Sequence, residues 1–393
     1  MGRSPHSYRS PVGPRVAAAA VAAVLSAATG APARAADLPP LQPPPGMSAA
    51  GGERLALPGV QAEPSGASAP PELSALSWMV SDLGTGEVLA AKNAHWPLPP
   101  ASTLKALFAD TLLPRLSADA VHRVSAADLS DVGEGSSRVG IQAGQSYKVS
   151  DLWLGVFLRS GNDAVRTLAA MSGGVPAAVG AMQARATALG ALDTHVVSPD
   201  GYDAPGQVSS AYDLTLILRD ALANPDFARY STTRVATFPG GRTAKGTPAP
   251  SFQIQNTNRL LAGTGGVPRY PGLIAGKNGY TAQAGNTLIS AASRDGHTLA
   301  VALLNPRSGK PNAVYEETRQ LLDWGFAARG EAAAVGALTG AAALPTAAGP
   351  AQAPSRRPWL TAGRAAGLAL PVLAVAAVVA LRRRRVRGVP RIL

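Results

Sequence analysis

The sequence predicts a mixed α/β fold of the α+β kind, an antiparallel sheet carrying a mostly helical insertion, and three observations lead there. Residues 77–82 and 87–91 are short strand-like runs around Gly84-Thr85-Gly86. Residues 287–293 and 297–304 flank Asp295-Gly296, a pair suited to the φ > 0 positions of a tight hairpin. Between these two signals, from Thr103 to about Ala223, apolar residues recur mostly with helical period. Strands on both sides of a helical middle bury their apolar faces together only by meeting in one sheet.

In chain order, the helical middle divides into candidate helices at 103–116, 150–158, 163–171, 176–189 and 211–223. After Pro311, residues 312–326 place Val314, Leu321, Leu322 and Trp324 at spacings that suit a helix covering the sheet. Trp78, Trp153 and Trp324 each lie in a periodic apolar segment and read as packing aromatics. No internal repeat is present.

The ends differ in composition from this body. Residues 1–35 hold Arg3, Arg9 and Arg15, an apolar run at 16–28 and then Ala33-Arg34-Ala35, the pattern of a cleaved signal peptide. Residues 36–72 are rich in Pro, Ala, Gly and Ser and read as a linker, as do residues 329–364, which read as a flexible stalk. The patterned body is therefore expected at 73–328. Residues 365–381 form an uncharged run that contains Pro371 and is closed by arginines at 382–385 and 387. They read as a transmembrane helix, with 382–393 as a basic cytoplasmic tail and the body on the outer face of the membrane.

Charge placement narrows the function classes. The formal net charge is +12, but thirteen of the 36 basic residues lie in 1–35 and 351–393, leaving 23 against 24 acidic residues in the middle. A nearly neutral body argues against nucleic-acid binding, which needs basic residues on a folded face. The absence of cysteine excludes a disulfide framework, a thiolate metal site and a cysteine nucleophile. With no His-Glu-x-x-His pattern and no paired histidines at ligand spacing, neither a metal nor another cofactor is expected.

Three short motifs carry the chemistry. In Ser102-Thr103-Leu104-Lys105, residues three apart share a helix face, so Lys105 can reach the proton of the Ser102 hydroxyl. A serine hydroxyl needs such a base, and a lysine serves only when burial or a nearby cation lowers its pKa. In Ser160-Gly161-Asn162, a loop hydroxyl and a carboxamide can relay a proton and hold a substrate amide. In Lys277-Asn278-Gly279-Tyr280-Thr281, placed on an edge strand, Lys277 offers a cation to a substrate carboxylate and Gly279 lets a substrate backbone lie close. Each alone matches an ordinary helix cap or turn. Their order and domain-sized spacing, in a chain with an export pattern, give the argument its force.

With these motifs the chain resembles the low-molecular-mass D-alanyl-D-alanine carboxypeptidases, penicillin-binding serine peptidases, and especially the actinobacterial ones. The likeness extends to Ser-Gly-Asn-Asp-Ala at 160–164, to Asn256-Thr257-Asn258-Arg259-Leu260-Leu261 and to Gly276 before Lys277. It implies a β-lactamase/transpeptidase-like, five-stranded antiparallel sheet flanked by helices. It implies as substrates peptidoglycan stem peptides ending in D-Ala-D-Ala, with β-lactams as acylating inhibitors. Ser102 would attack the bond between the two D-alanines, and Lys105 would take its proton. Ser160 and Lys277 would pass a proton to the leaving amine, and Asn162 would hold the substrate amide. The N–H groups of Ser102 and Tyr280 would form the oxyanion hole, and Asn278, Gly279 and Thr281 would complete the substrate strand. Asn278 departs from the Thr or Ser usual at its position; its carboxamide N–H₂ can still donate to a terminal carboxylate.

Other readings have less behind them. A Ser-His-Asp hydrolase would need a Gly-x-Ser-x-Gly elbow beside one of His95, His122, His195 or His297, and none is present. A class A β-lactamase would carry Asp where Gly161 stands and a Glu-x-x-Leu-Asn stretch, which is missing. A DD-endopeptidase shares the fold, and a non-catalytic wall-binding protein would not need the whole set of motif residues. Pro199-Asp200-Gly201-Tyr202-Asp203 resembles a loop at the family's active-site entrance and equally an acidic surface turn.

Overall fold

The computed structural model describes residues 42–340 apart from 64 and 243–245. The expected signal peptide at 1–35, transmembrane run at 365–381 and tail at 382–393 lie outside the described residues. Among the described residues no helix is long and apolar enough to cross a membrane.

The chain opens with a 3₁₀ turn at Glu53–Ala56 and strand β1 at Val60–Ala62. β2 (Ala75–Asp82) and β3 (Glu87–Lys92) form the first expected hairpin. A 3₁₀ turn at Ala101–Leu104 runs into α1 (Lys105–Leu112). Two short strands, β4 (Val121–Arg123) and β5 (Ser146–Lys148), pair ahead of α2 (Val149–Leu158), α3 (Asn162–Met171) and α4 (Val175–Leu189). After α5 (Ala211–Ala221) and α6 (Pro225–Thr232) comes a second small hairpin of β6 (Val235–Phe238) and β7 (Phe252–Gln255). The one-turn α7 (Arg259–Ala262) precedes β8 (Leu273–Thr281), β9 (Gly285–Arg294) and β10 (His297–Pro306). α8 (Ala313–Ala328) and β11 (Gly336–Ala337) close the body.

The main sheet has the order β1-β3-β2-β10-β9-β8, with β11 also pairing β3. The two hairpins meet where β10 pairs antiparallel with β2, Leu303 opposite Trp78 and Ala302 opposite Met79. The sheet is sandwiched, and period-two alternation along β10 shows how. Ala300, Ala302 and Leu304 face the core shared with the helical insertion, while Leu299, Val301 and Leu303 face α8. The α8 side also holds Trp78, Val314, Leu321, Leu322 and Trp324, and Trp153 packs in the insertion core. Each such large apolar side chain contributes about 1.5–3 kcal/mol by its burial.

The five long strands are the expected sheet, and β1 and β11 extend it to seven. Both additions fall in segments that composition reads as linker and stalk. Fully buried Leu55 anchors the first segment, and Val335 and Leu338, 4% and 6% exposed, anchor the second. One or two apolar anchors among Ala, Gly and Pro suffice to dock a strand on the open edge of β3, and averaging over thirty residues hides them. The β4–β5 and β6–β7 hairpins and α6 are likewise additions to the sequence reading, too short to show a period.

Candidate active site

The first motif lies in the 3₁₀ turn before α1, where side chains at i and i+3 eclipse, so Lys105 stands over Ser102. Its Nζ donates to Ser102 Oγ at 2.7 Å, Ser160 Oγ at 3.1 Å and Asn162 Oδ1 at 2.7 Å. Two backbone conformations help to bring these groups together. Ala101 and Ser160 hold φ of 48° and 55°, left-handed values uncommon for non-glycine residues and typical of functional turns. The Ala101 turn is held by Pro100 O, which accepts from Thr103 Oγ1 at 2.6 Å and from Thr287 Oγ1 of β9 at 3.0 Å.

The second motif joins α2 to α3. Asp163 anchors it: its carboxylate accepts from the amides of Gly140 at 2.8 Å, Ile141 at 2.9 Å, Val139 at 3.0 Å and Ala164 at 3.0 Å. Asn162 N donates to Ser137 O at 2.8 Å, so the 137–141 segment is laced to the motif.

The third motif occupies edge strand β8. A Cβ on Gly279 would lie 2.7 Å from Ser102 N and 2.5 Å from Thr287 Oγ1, so only glycine lets this strand close on the nucleophile turn. Gly201, with φ 78°, does the same from the opposite loop: a Cβ there would meet Ala101 O at 1.9 Å.

A cleft of about 370 Å³ opens over this junction. Ser102, Ser160, Asn162, Asn278, Gly279, Tyr280 and Thr281 line it, while Lys105 and Lys277 are buried. Thr281 Oγ1 accepts from Ala284 N at 3.1 Å, and Tyr280 is 69% exposed at the rim. The cleft also takes in Glu134 and Arg159, which no sequence pattern singled out, Thr257 from the 256–261 stretch, and Gly201, Tyr202 and Asp203 from the entrance-like loop. Tyr202 Oη donates to Glu134 O at 2.9 Å, tying that loop to the facing segment.

Burial sets the electrostatics. It pushes Lys105 down to about 8, against the attraction of Asp200 and Asp163. Lys277 is held well below the usual lysine range by its own burial and by the neighbouring charge of Lys105. Its Nζ donates to Asn278 O at 2.6 Å. Desolvation beside a second amine disfavours the charged form of Lys277.

Among the described residues no histidine lines the cleft. His95, Asp193 and Asp213 bring their ligand atoms within 4.8 Å of one another. Both His95 ring nitrogens are engaged, at 2.7 Å with Asp193 Oδ2 and at 2.9 Å with Ala50 O, so the cluster is a hydrogen-bonded network.

A serine, a buried lysine of lowered pKa and a second hydroxyl along one edge strand can perform acyl transfer. Comparison with known proteins agrees. A family model described as D-alanyl-D-alanine carboxypeptidase matches residues 64–308. D-alanyl-D-alanine carboxypeptidase DacB2 of Mycobacterium tuberculosis is 38% identical over 280 residues, 70% of this chain and 90% of that protein. DacD of Salmonella typhimurium is 32% identical over 65% of this chain and 64% of its own length. Among solved structures, the D-alanyl-D-alanine carboxypeptidase from M. tuberculosis H37Rv is similar with a TM-score of 0.62 and 38% identity, covering 70% of this chain and all of that one. The Streptomyces K15 DD-transpeptidase is similar with a TM-score of 0.60 and 29% identity, covering 66% of this chain and all of that one.

Proposed function

The chain belongs to the D-alanyl-D-alanine carboxypeptidase family of serine peptidases, and from that premise we propose that Ser102 is its nucleophile and Lys105 the base. The observation that carries the assignment is the 2.7 Å contact between Lys105 Nζ and Ser102 Oγ.

Ser102 Oγ attacks the carbonyl carbon of the penultimate D-alanine while its proton passes to neutral Lys105. The developing oxyanion is held by the N–H groups of Ser102 and Tyr280, a type of interaction worth about 3 kcal/mol per donor. The C–N bond breaks as a proton reaches the leaving amine through Ser160, with Lys277 as a second station. Free D-alanine departs and the stem peptide remains as an ester on Ser102. Water then adds to the ester, the acid product leaves, and the proton returns to Ser102. Asn162 orients the substrate amide, Asn278 donates to the terminal carboxylate, and Gly279 and Thr281 accommodate the extended peptide. Penicillins acylate the same serine.

Family members are extracytoplasmic cell-wall enzymes. For this chain the same location is proposed, with export through residues 1–35, a catalytic body over 73–328 and a membrane anchor at 365–381. The arginines at 382–385 and 387 support that orientation.

The test is release of D-alanine from a peptide ending in D-Ala-D-Ala, with Ser102→Ala as control. Release by the parent alone is expected; a folded parent that releases none overturns the reading. The likeness to a DD-transpeptidase favours one addition, an amine acceptor in the assay, since an amine competing with water for the acyl-enzyme yields a transpeptidation product.

A further inference from the structure

Asn278 lines both the catalytic cleft and a second, polar cavity of about 450 Å³ that holds Arg259, Asn286 and Asn312. Thr257 lines both as well, so these two side chains form the wall between the chambers. A half-buried carboxamide on such a wall has two faces to choose from, and its oxygen and nitrogen ends have opposite effects on an anion.

Three contacts fix the choice. Thr257 Oγ1 donates to Asn278 Oδ1 at 3.2 Å. Tyr315 Oη donates to Thr257 O at 3.3 Å, bracing the residue that holds Asn278. Thr257 N donates to Leu158 O at 2.9 Å, tying this support to the end of α2 just before Ser160. Thr257 therefore claims the carboxamide oxygen, which leaves the N–H₂ end of Asn278 as the donor.

We propose that Thr257 and Tyr315 are positioning residues that hold the Asn278 carboxamide with an N–H toward the cleft, making it selective for a substrate with a terminal carboxylate. The inference rests on the carboxypeptidase reading above. Without the Thr257 hydroxyl the carboxamide can turn toward the second chamber or present its oxygen, which repels a carboxylate. A hydroxyl, both donor and acceptor, needs no such support, so the frame matters because asparagine stands in this motif.

The experiment compares kcat/KM for two peptides with the purified enzyme, one ending in D-Ala-D-Ala and one whose terminal carboxylate is a carboxamide, with active sites counted by stoichiometric penicillin labelling. The parent is expected to prefer the carboxylate. Thr257→Val and Tyr315→Phe should each reduce that preference about three- to tenfold, the size of one lost hydrogen bond, while Thr257→Ser keeps it. Asn278→Thr in the Thr257→Val background should recover it. A preference unchanged in both single variants overturns the proposal, and so does an equal loss on both peptides, which marks a merely structural role. A parent that releases product from neither peptide defeats the functional reading, and this inference with it.

Discussion

Lys105 Nζ is surrounded by three acceptors, Ser102 Oγ, Ser160 Oγ and Asn162 Oδ1, which together use the three protons of an ammonium group. In that state the lysine donates to the nucleophile and cannot take its proton. Loss of one proton frees a lone pair, and the Ser102 contact can reverse direction.

Acylation should therefore rise with pH through about 8, the value to which burial brings Lys105. Below that value the second-order rate of penicillin acylation should change about tenfold per pH unit, because only the neutral amine is a base. A profile flat from pH 6 to 9 would remove Lys105 from the base role. Lys105→Ala should lose about 10²–10⁴-fold in acylation with the fold intact, and normal penicillin labelling of that variant contradicts the assignment.

The same shift is a stability statement. Burial lowers Lys105 from 10.5 to about 8, so between those values the unfolded chain holds the proton and the folded chain does not. Its contribution to stability rises with pH across that window, and below about 8 the buried charge is a penalty. Lys105→Met should be more stable than the parent at pH 7, by roughly 2 kcal/mol, and the margin should shrink by pH 10. Urea unfolding at the two pH values measures it; a margin that grows with pH contradicts the shift.

Asp163→Ala should cost about 3 kcal/mol, because four backbone amides lose a charged acceptor in a buried place. Hydrogen exchange should report the loss first at residues 139–141. Acylation should fall too, since Asn162 is held by the same segment. Unchanged protection there would mean that another group anchors the segment.

Gly279→Ala should abolish acylation while leaving most of the thermal stability, since the added carbon strikes the Ser102 amide at 2.7 Å on an edge strand that can shift outward. Gly201→Ala should do more harm to the fold, since it combines a clash at 1.9 Å with a left-handed φ of 78°. Penicillin labelling and melting temperature, measured on both, separate the two effects.

How much of this was legible in the sequence differs by residue. Asp295-Gly296 announced its turn, and its φ values of 51° and 79° are those the hairpin needs. Ser102 and Lys105 were legible because a three-residue spacing survives the change from α to 3₁₀ winding. Ala101 was not, since alanine gives no sign of a left-handed residue. Thr257 reaches Asn278 from 21 positions away and Tyr315 reaches Thr257 from 58, and no local period reports such meetings. The lowered pKa of Lys277 depends on desolvation and on Lys105, which only the folded arrangement supplies.

β1 and β11 both attach to the outer edge of β3, the side of the sheet remote from β8. β1 is held by three residue pairings and β11 by two, whereas β8 is stitched to β9 along eight. A pull between the two ends of the described chain therefore strips β1 and β11 first, as a fuse opens before the circuit it protects. β2, β10 and β9 stand between that edge and β8 as a mechanical buffer, so tension at the chain ends is released before it reaches the geometry around Ser102.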